Sequence, residues 1–165
     1  MPEKKTMERA RKDARQGKAP STQAGEFVQE EIEHIRQGKH GARSAKQAIA
    51  IGLSKARRAG VKLPPPKAGK ASARTRAQAA RDYNKGRSPG QATSSTRSRA
   101  VRTALQREDR QAASGTALSR QAHASARSRG AKSRSRAAQK AVRTKGREGL
   151  QSAARKAART RAAGK

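Results

Sequence analysis

Arginine and lysine recur through the second half of this sequence at spacings that a helix would bring into line. Lys132, Arg136, Lys140, Arg143 and Arg147 follow one another at steps of four, four, three and four. A helix there carries a cationic ridge, with Ala137 and Ala141 close by, that can follow a phosphate backbone. The same chemistry is offered by Arg57 and Arg58, by Arg74 and Arg76, by Arg97 and Arg99, by Arg120, Arg127, Arg129 and Arg134, and by Arg155, Lys156 and Arg159. Of the 28 basic residues in the interval 61–165, 19 are arginine, whose planar guanidinium makes paired contacts to phosphate that lysine does not. The competing explanation is a solvated charge run, because nearly any helix drawn through this composition acquires such a ridge.

Other chemistries are thinly supplied. His34, His40 and His123 are the histidines, and no carboxylate–histidine–hydroxyl arrangement is readable around them. Glu26, Glu30, Glu31 and Glu33 read as the solvated face of a helix rather than as an acid-base pair or, with His34 and His40, a metal site. The chain contains no cysteine, which removes disulfide scaffolds, thiol catalysis and cysteine–zinc sites. No catalytic residues, metal or cofactor are therefore expected, and the chain is not read as an enzyme. Phe27 and Tyr83 are the aromatic residues, too few for the stacking platforms of single-strand or RNA-recognition modules. Ser-Arg and Thr-Arg dipeptides would accept phosphorylation, which weakens polyanion binding, although compositional bias is their commoner explanation.

The elements that must position these cations are limited by composition. Among 165 residues, 42 are Lys or Arg and 11 are Asp or Glu, a formal net charge of +31. Leu, Ile, Val and Phe number only 14, a content at which high charge ordinarily prevents a large core. The 35 alanines bury little surface each. Residues 1–60 hold 14 basic and 7 acidic residues, whereas residues 61–165 hold 28 and 4. The expected architecture is all-α: a small two- or three-helix N-terminal head over 1–63, a proline-containing linker at 64–70, and a largely disordered or conditionally helical, low-complexity basic tail over 71–165. The first twenty residues show no secretory signal, and no apolar run of 18 residues exists to span a bilayer, so an intracellular, soluble protein is expected.

Within the head, a first helix is read from about Thr6 to Gln16, ended by Gly17, and a second from about Gln23 to Gln37, with Val28, Ile32 and Ile35 on one face beside Phe27 and Gly38 as cap. The third has a capping box at Ser44-Ala45-Lys46-Gln47 and ends at Gly60. Its narrow stripe of Ala45, Ala48, Ile49, Gly52, Leu53, Ala56 and Ala59 suits close packing on the second helix, and Ile51 lies off the stripe. Pro64-Pro65-Pro66 cannot continue a helix. Beyond it Gly86, Ser88-Pro89-Gly90, Gly115, Gly130, Gly146 and Gly149 punctuate the tail. Helices two and three also allow a helix-turn-helix reading, and the intervening Gly38-Lys39-His40-Gly41 allows an RNA-gripping loop reading. Neither comes with the rigid base-reading surface or apolar strands that those modules use.

The run Lys46-Gln-Ala-Ile-Ala-Ile-Gly-Leu-Ser-Lys-Ala-Arg-Arg-Ala-Gly60 resembles a helix of a family of small, basic, uncharacterised bacterial proteins, some labelled plasmid-stabilisation proteins. Gly52 stands where that pattern often has alanine, and Lys55 where it is often acidic. The resemblance covers about residues 1–63 and implies no established activity. The remainder resembles the basic tails of bacterial histone-H1-like proteins in composition. The resulting expectation is nonspecific DNA binding by a cytoplasmic, nucleoid-associated protein that contacts phosphates. RNA or ribosome association is the alternative, followed by an adaptor role in which residues 23–60 bind a protein partner or self-associate.

Overall fold

A computed structural model of the chain describes residues 2–88 and 94–163. Among these the architecture is all-α, with seven α-helices, one short 3-10 turn and no strand: α1 (Lys4–Arg15), α2 (Pro20–Arg36), α3 (Ala45–Arg58), α4 (Ala73–Arg87), α5 (Ser95–Gln106), η1 (Gln111–Ala113), α6 (Gly115–Ser128) and α7 (Gly130–Ala163). The chain divides into a compact unit over 1–121 and a second over 122–165, with the division falling inside α6.

Local signals set the helix ends in the first unit. Pro20 opens α2 at a position where its missing N–H costs nothing, three residues earlier than the apolar periodicity indicates. Ser44 caps α3 by accepting from the Gln47 amide at 3.2 Å, while Gln47 reaches back to the Arg43 N–H at 2.9 Å. Gly17, Gly38 and Gly60 follow α1, α2 and α3 with φ of 67°, 74° and 91°, the left-handed conformation that closes helices without a Cβ penalty. Gly130 ends α6 in the same way, and the Pro89-Gly90 turn lies outside the described residues.

Two small cores form around α2. Phe27, Ala24, Ala10, Ala56 and Val61 make one, with Met7, Leu53, Ala59 and Leu63 against it. Ile35, Ala42, Ala48, Ala112 and Ala113 make the other, with Ile32 alongside. Helix α3 lies between α2 and α4, and η1 packs on both α2 and α3. At the α2–α3 contact a Cβ on Gly52 would stand 2.6 Å from the Val28 Cα and 2.9 Å from its amide nitrogen. The two backbones touch there, so the glycine that weakens α3 locally is the residue that lets it seat.

The expected short head with a disordered, low-complexity tail is overturned. The compact unit runs 58 residues past Leu63, to Gln121, and the described residues beyond Gln121 are helical nearly throughout, to Ala163. Alanine is responsible for both. It is the best helix former, with Arg, Lys and Gln close behind, and its small side chain permits contact where large apolar residues are scarce. Ala79 is buried on α4, and Ala112 and Ala113 are buried in η1. Polar ties complete the docking. Ser54 donates to Asp82 at 2.7 Å, the Gly41 amide donates to the Leu105 carbonyl at 2.8 Å, and the Ala42 amide donates to the Asp109 carbonyl at 3.0 Å. Gly86 and Gly149, read as breaks, sit inside helices, whereas Gly146 interrupts α7 with φ 63° and ψ −179°.

Substituting Gly52 with alanine is expected to destabilise the fold by about 1–3 kcal/mol through overpacking, although alanine favours the helix. Gly25→Ala on α2, where a Cβ meets nothing within 4 Å, is expected to stabilise by about 0.5–1 kcal/mol. Urea denaturation of the two variants should move the midpoint in opposite directions.

Candidate nucleic-acid interface

Folding sorts the candidate cations into those held inside the protein and those left outside. Arg57 is 8% exposed, and its Nε donates to the Leu63 carbonyl at 3.2 Å. Burial pushes its guanidinium below the ordinary arginine value, with Asp82 opposing. Arg58 is exposed but bonds Ser54 at 3.2 Å and faces Asp82 at 3.6 Å. The expectation that these two contact phosphate is corrected for Arg57, which braces the chain as it leaves α3. Arg74 is exposed near the start of α4, and Arg76 is half-buried.

Arg97 and Arg99 on α5 are exposed, as are Arg120 and Arg127 on α6. Arg129 is exposed and donates from Nε to the Ser125 carbonyl at 3.3 Å, and Arg134 caps the Ala126 carbonyl at 3.1 Å. Lys132, Arg136, Lys140 and Arg143 are exposed on the first arm of α7, residues 131–145, and lie along one side of it. Arg147 follows the break at Gly146 and belongs to the second arm with Arg155, Lys156 and Arg159. The five-membered ridge is thus four cations and a restart. Arg102, Lys145 and Arg161 are equally exposed on these helices; the same composition announces them, and spacing alone does not single them out. No described side chain from 122 to 163 is buried.

Two of the four glutamates read as a solvated face, Glu30 and Glu31, are instead buried, while Glu26 and Glu33 are partly exposed. Glu30 and Glu31 are 2% and 1% exposed, because α3 closes over that side of α2. Lys55 supplies their cation, with Nζ 2.5 Å from one Glu31 oxygen and 3.5 Å from Glu30. The Glu3 amide donates to Glu30 at 3.1 Å. His40 Nε2 stands 3.1 Å from the other Glu31 oxygen, and His34 Nε2 stands 2.8 Å from Glu3, which also receives Lys39 at 3.2 Å. Hydrogen bonds from His34 and then Lys39 hold the Glu3 carboxyl below its ordinary value.

This arrangement answers the two modular readings. Helix α3 packs on α2 and α4, and of the four cations that the helix-turn-helix reading places on it Lys55, Arg57 and Arg58 are engaged within the chain while Lys46 is exposed. In the loop after α2, the Gly41 and Ala42 amides bond to residues 105 and 109 and the Arg110 guanidinium lies against Gly38, so these loop groups are engaged within the chain.

What results, among the described residues, is an all-helical chain whose buried carboxylates are paired within the first unit and whose helices α5, α6 and α7 carry exposed cations. Residues 21–68 match a family described only as a family of unknown function (DUF6496), a stretch that runs from α2 through the prolines. Neither the curated proteins nor the solved structures compared with the chain give a match. Among the described residues, no helix is long and apolar enough to cross a membrane.

Replacing Lys55 with glutamine leaves two buried carboxylates without their cation and is expected to cost about 3–5 kcal/mol. The exposed Arg43–Glu108 pair, at 3.4 Å with Arg43 81% exposed, should lose under about 1 kcal/mol on Arg43→Gln. Thermal denaturation of both variants measures the contrast.

Proposed function

We propose that this protein binds nucleic acid through the phosphate backbone, without reading base sequence, and that duplex DNA is its principal partner. The observation that carries this reading is the charge of the described residues from 94 to 163. Their many Lys and Arg side chains are interrupted only by Glu108, Asp109 and Glu148, and nearly all of the cations are exposed on α5, α6 and α7. Cations in such an array release the counterions condensed on a polyanion, which drives binding with little dependence on sequence. A helix holds neighbouring cations about 5–6 Å apart, close to the spacing of phosphates along a strand, and arginine adds paired contacts. The carboxylates that would compete for these side chains are largely committed elsewhere: Glu30 and Glu31 to Lys55, Asp82 to Ser54 and Arg58, and Asp13 to Lys18.

Binding of the full chain to duplex DNA, structured RNA of equal length and polyglutamate should be measured across a salt series. The expected result is preferential duplex binding that weakens steeply with salt. Replacing Lys132, Arg136, Lys140 and Arg143 together with glutamine should lower the slope of log affinity on log salt by about 0.9 for each duplex phosphate that the variant no longer neutralises. Equal binding to all three polymers would overturn the nucleic-acid assignment, and preference for RNA would overturn the choice of duplex.

A further inference from the structure

We propose that Glu31, His34 and His40 form a binding site for one divalent transition-metal ion of the zinc type. A carboxylate oxygen of Glu31 and one ring nitrogen from each histidine lie within 4.8 Å of one another. Glu31 and His34 are three residues apart near the end of α2, and His40 comes from the loop that follows Gly38. One helical turn and one tight cap therefore bring an oxygen and two nitrogens together, the donor types that zinc accepts.

The hydrogen bonds around the rings give the second line of support. His40 Nδ1 lies 3.0 Å from the Gly41 carbonyl oxygen, which can only accept, so Nδ1 carries a proton. In a neutral ring Nε2 then presents its lone pair, and that atom faces a Glu31 oxygen at 3.1 Å. Two lone pairs at this distance repel unless a proton joins them or a metal ion is bound by both. Glu31 is 1% exposed, and neither of its oxygens has a partner at hydrogen-bonding angles, although Lys55 stands 2.5 Å from one of them. Glu3 engages His34 Nε2 at 2.8 Å, so an ion would be held through Nδ1 of that ring. A carboxylate beside one ring and a backbone carbonyl beside the other are the groups that orient metal-bound imidazoles.

Charge and size are compatible with an ion. The carboxylates of Glu3, Glu30 and Glu31 meet the ammonium groups of Lys39 and Lys55, and two protons on the histidines or one divalent ion between them add the same charge. The Arg110 guanidinium, against Gly38, is the further cation nearby. Zinc bonds of about 2.0–2.1 Å place tetrahedral ligands about 3.3 Å apart; Glu31 and His40 already stand at 3.1 Å, and His34 must close by at most about 1.5 Å. Rotation of the two histidine side chains, each 14% exposed, would supply this closure around a Glu31 held by Lys55. Bound there, the ion would clasp the start of α1, the end of α2 and the loop whose amides hold residues 105 and 109, a structural rather than catalytic role.

The full-length protein, stripped with chelator, should be titrated with Co²⁺ and followed by visible absorption, then displaced with Zn²⁺. One equivalent of Co²⁺ with a tetrahedral nitrogen–oxygen spectrum is expected, together with a higher thermal midpoint. His34→Gln and His40→Gln should each weaken binding about tenfold or more, and His123→Gln should leave it unchanged. In the unaltered protein, the imidazole NMR signals of His34 and His40 should move with Zn²⁺ while those of His123 stay in place, a readout independent of how the variants fold. Absence of a one-to-one complex, a spectrum retained by the His34→Gln/His40→Gln double variant, or NMR shifts confined to other sites would each overturn the assignment.

Discussion

The contact between α2 and α3 governs the rest of this molecule. At Gly52 the two backbones approach so closely that no side chain fits between them, and one turn further along α3 the Lys55 ammonium enters beside Glu30 and Glu31. The first feature makes the second possible. With α3 drawn onto α2, two carboxylates that would otherwise face water are sealed in with their cation, and removing either partner leaves an uncompensated charge. Phe27 and Ile35, the largest apolar side chains fully enclosed, sit along the same helix. A chain with few large hydrophobic residues thus concentrates them, and much of its acidic charge, along one helix.

That concentration organises the charge of the whole protein. Acidic groups in the first unit are engaged at short range: Asp13 with Lys18 at 2.6 Å, Glu26 with Arg9 at 2.6 Å, and Asp82 with Ser54 at 2.7 Å. They neutralise cations that also serve the fold. The cations of α5, α6 and α7 have few such partners among the described residues, and their exposure follows from that division of labour. Structural ion pairs gather around the packed helices, while cations such as Lys4, Lys5, Arg11 and Arg15 beside them face solvent, so a large net charge coexists with a packed unit.

Much of the head is legible from its residues. Gly17, Gly38 and Gly60 mark helix ends, and Ser44 with Gln47 marks a helix start, because these depend on local backbone chemistry. Burial of Glu30 and Glu31 is not legible, since a glutamate-rich helix face looks solvated until a lysine from another helix closes over it. Packing beyond the prolines is hidden for a related reason: judging a core by Leu, Ile, Val and Phe overlooks contacts made through Ala79, Ala112 and Ala113. A signal is nevertheless present. Asp82, Glu108 and Asp109 are rare acidic residues in a basic stretch, and each marks a place where that stretch docks: Asp82 on Ser54, Glu108 beside Arg43, and the Asp109 carbonyl on the Ala42 amide. Among the cations, spacing identifies the ridge on the first arm of α7 but carries it across Gly146 to Arg147, although Gly146 is among the glycines read as breaks and does interrupt the helix.

The backbone at Gly146 bears on how α7 behaves as a polyelectrolyte. A continuous 34-residue helix would measure about 51 Å at about 1.5 Å per residue, longer than the roughly 34 Å of one duplex turn. A straight rod of that length would lose register with a curving groove before it ended. The conformation at Gly146 is one that essentially only glycine adopts, and it divides the rod into two segments, each shorter than a single duplex turn. On the proposed duplex partner, each would need to match the phosphate lattice only over its own length. The residue that spoils the regularity of α7 thereby shortens the rigid length over which its charges must match a partner.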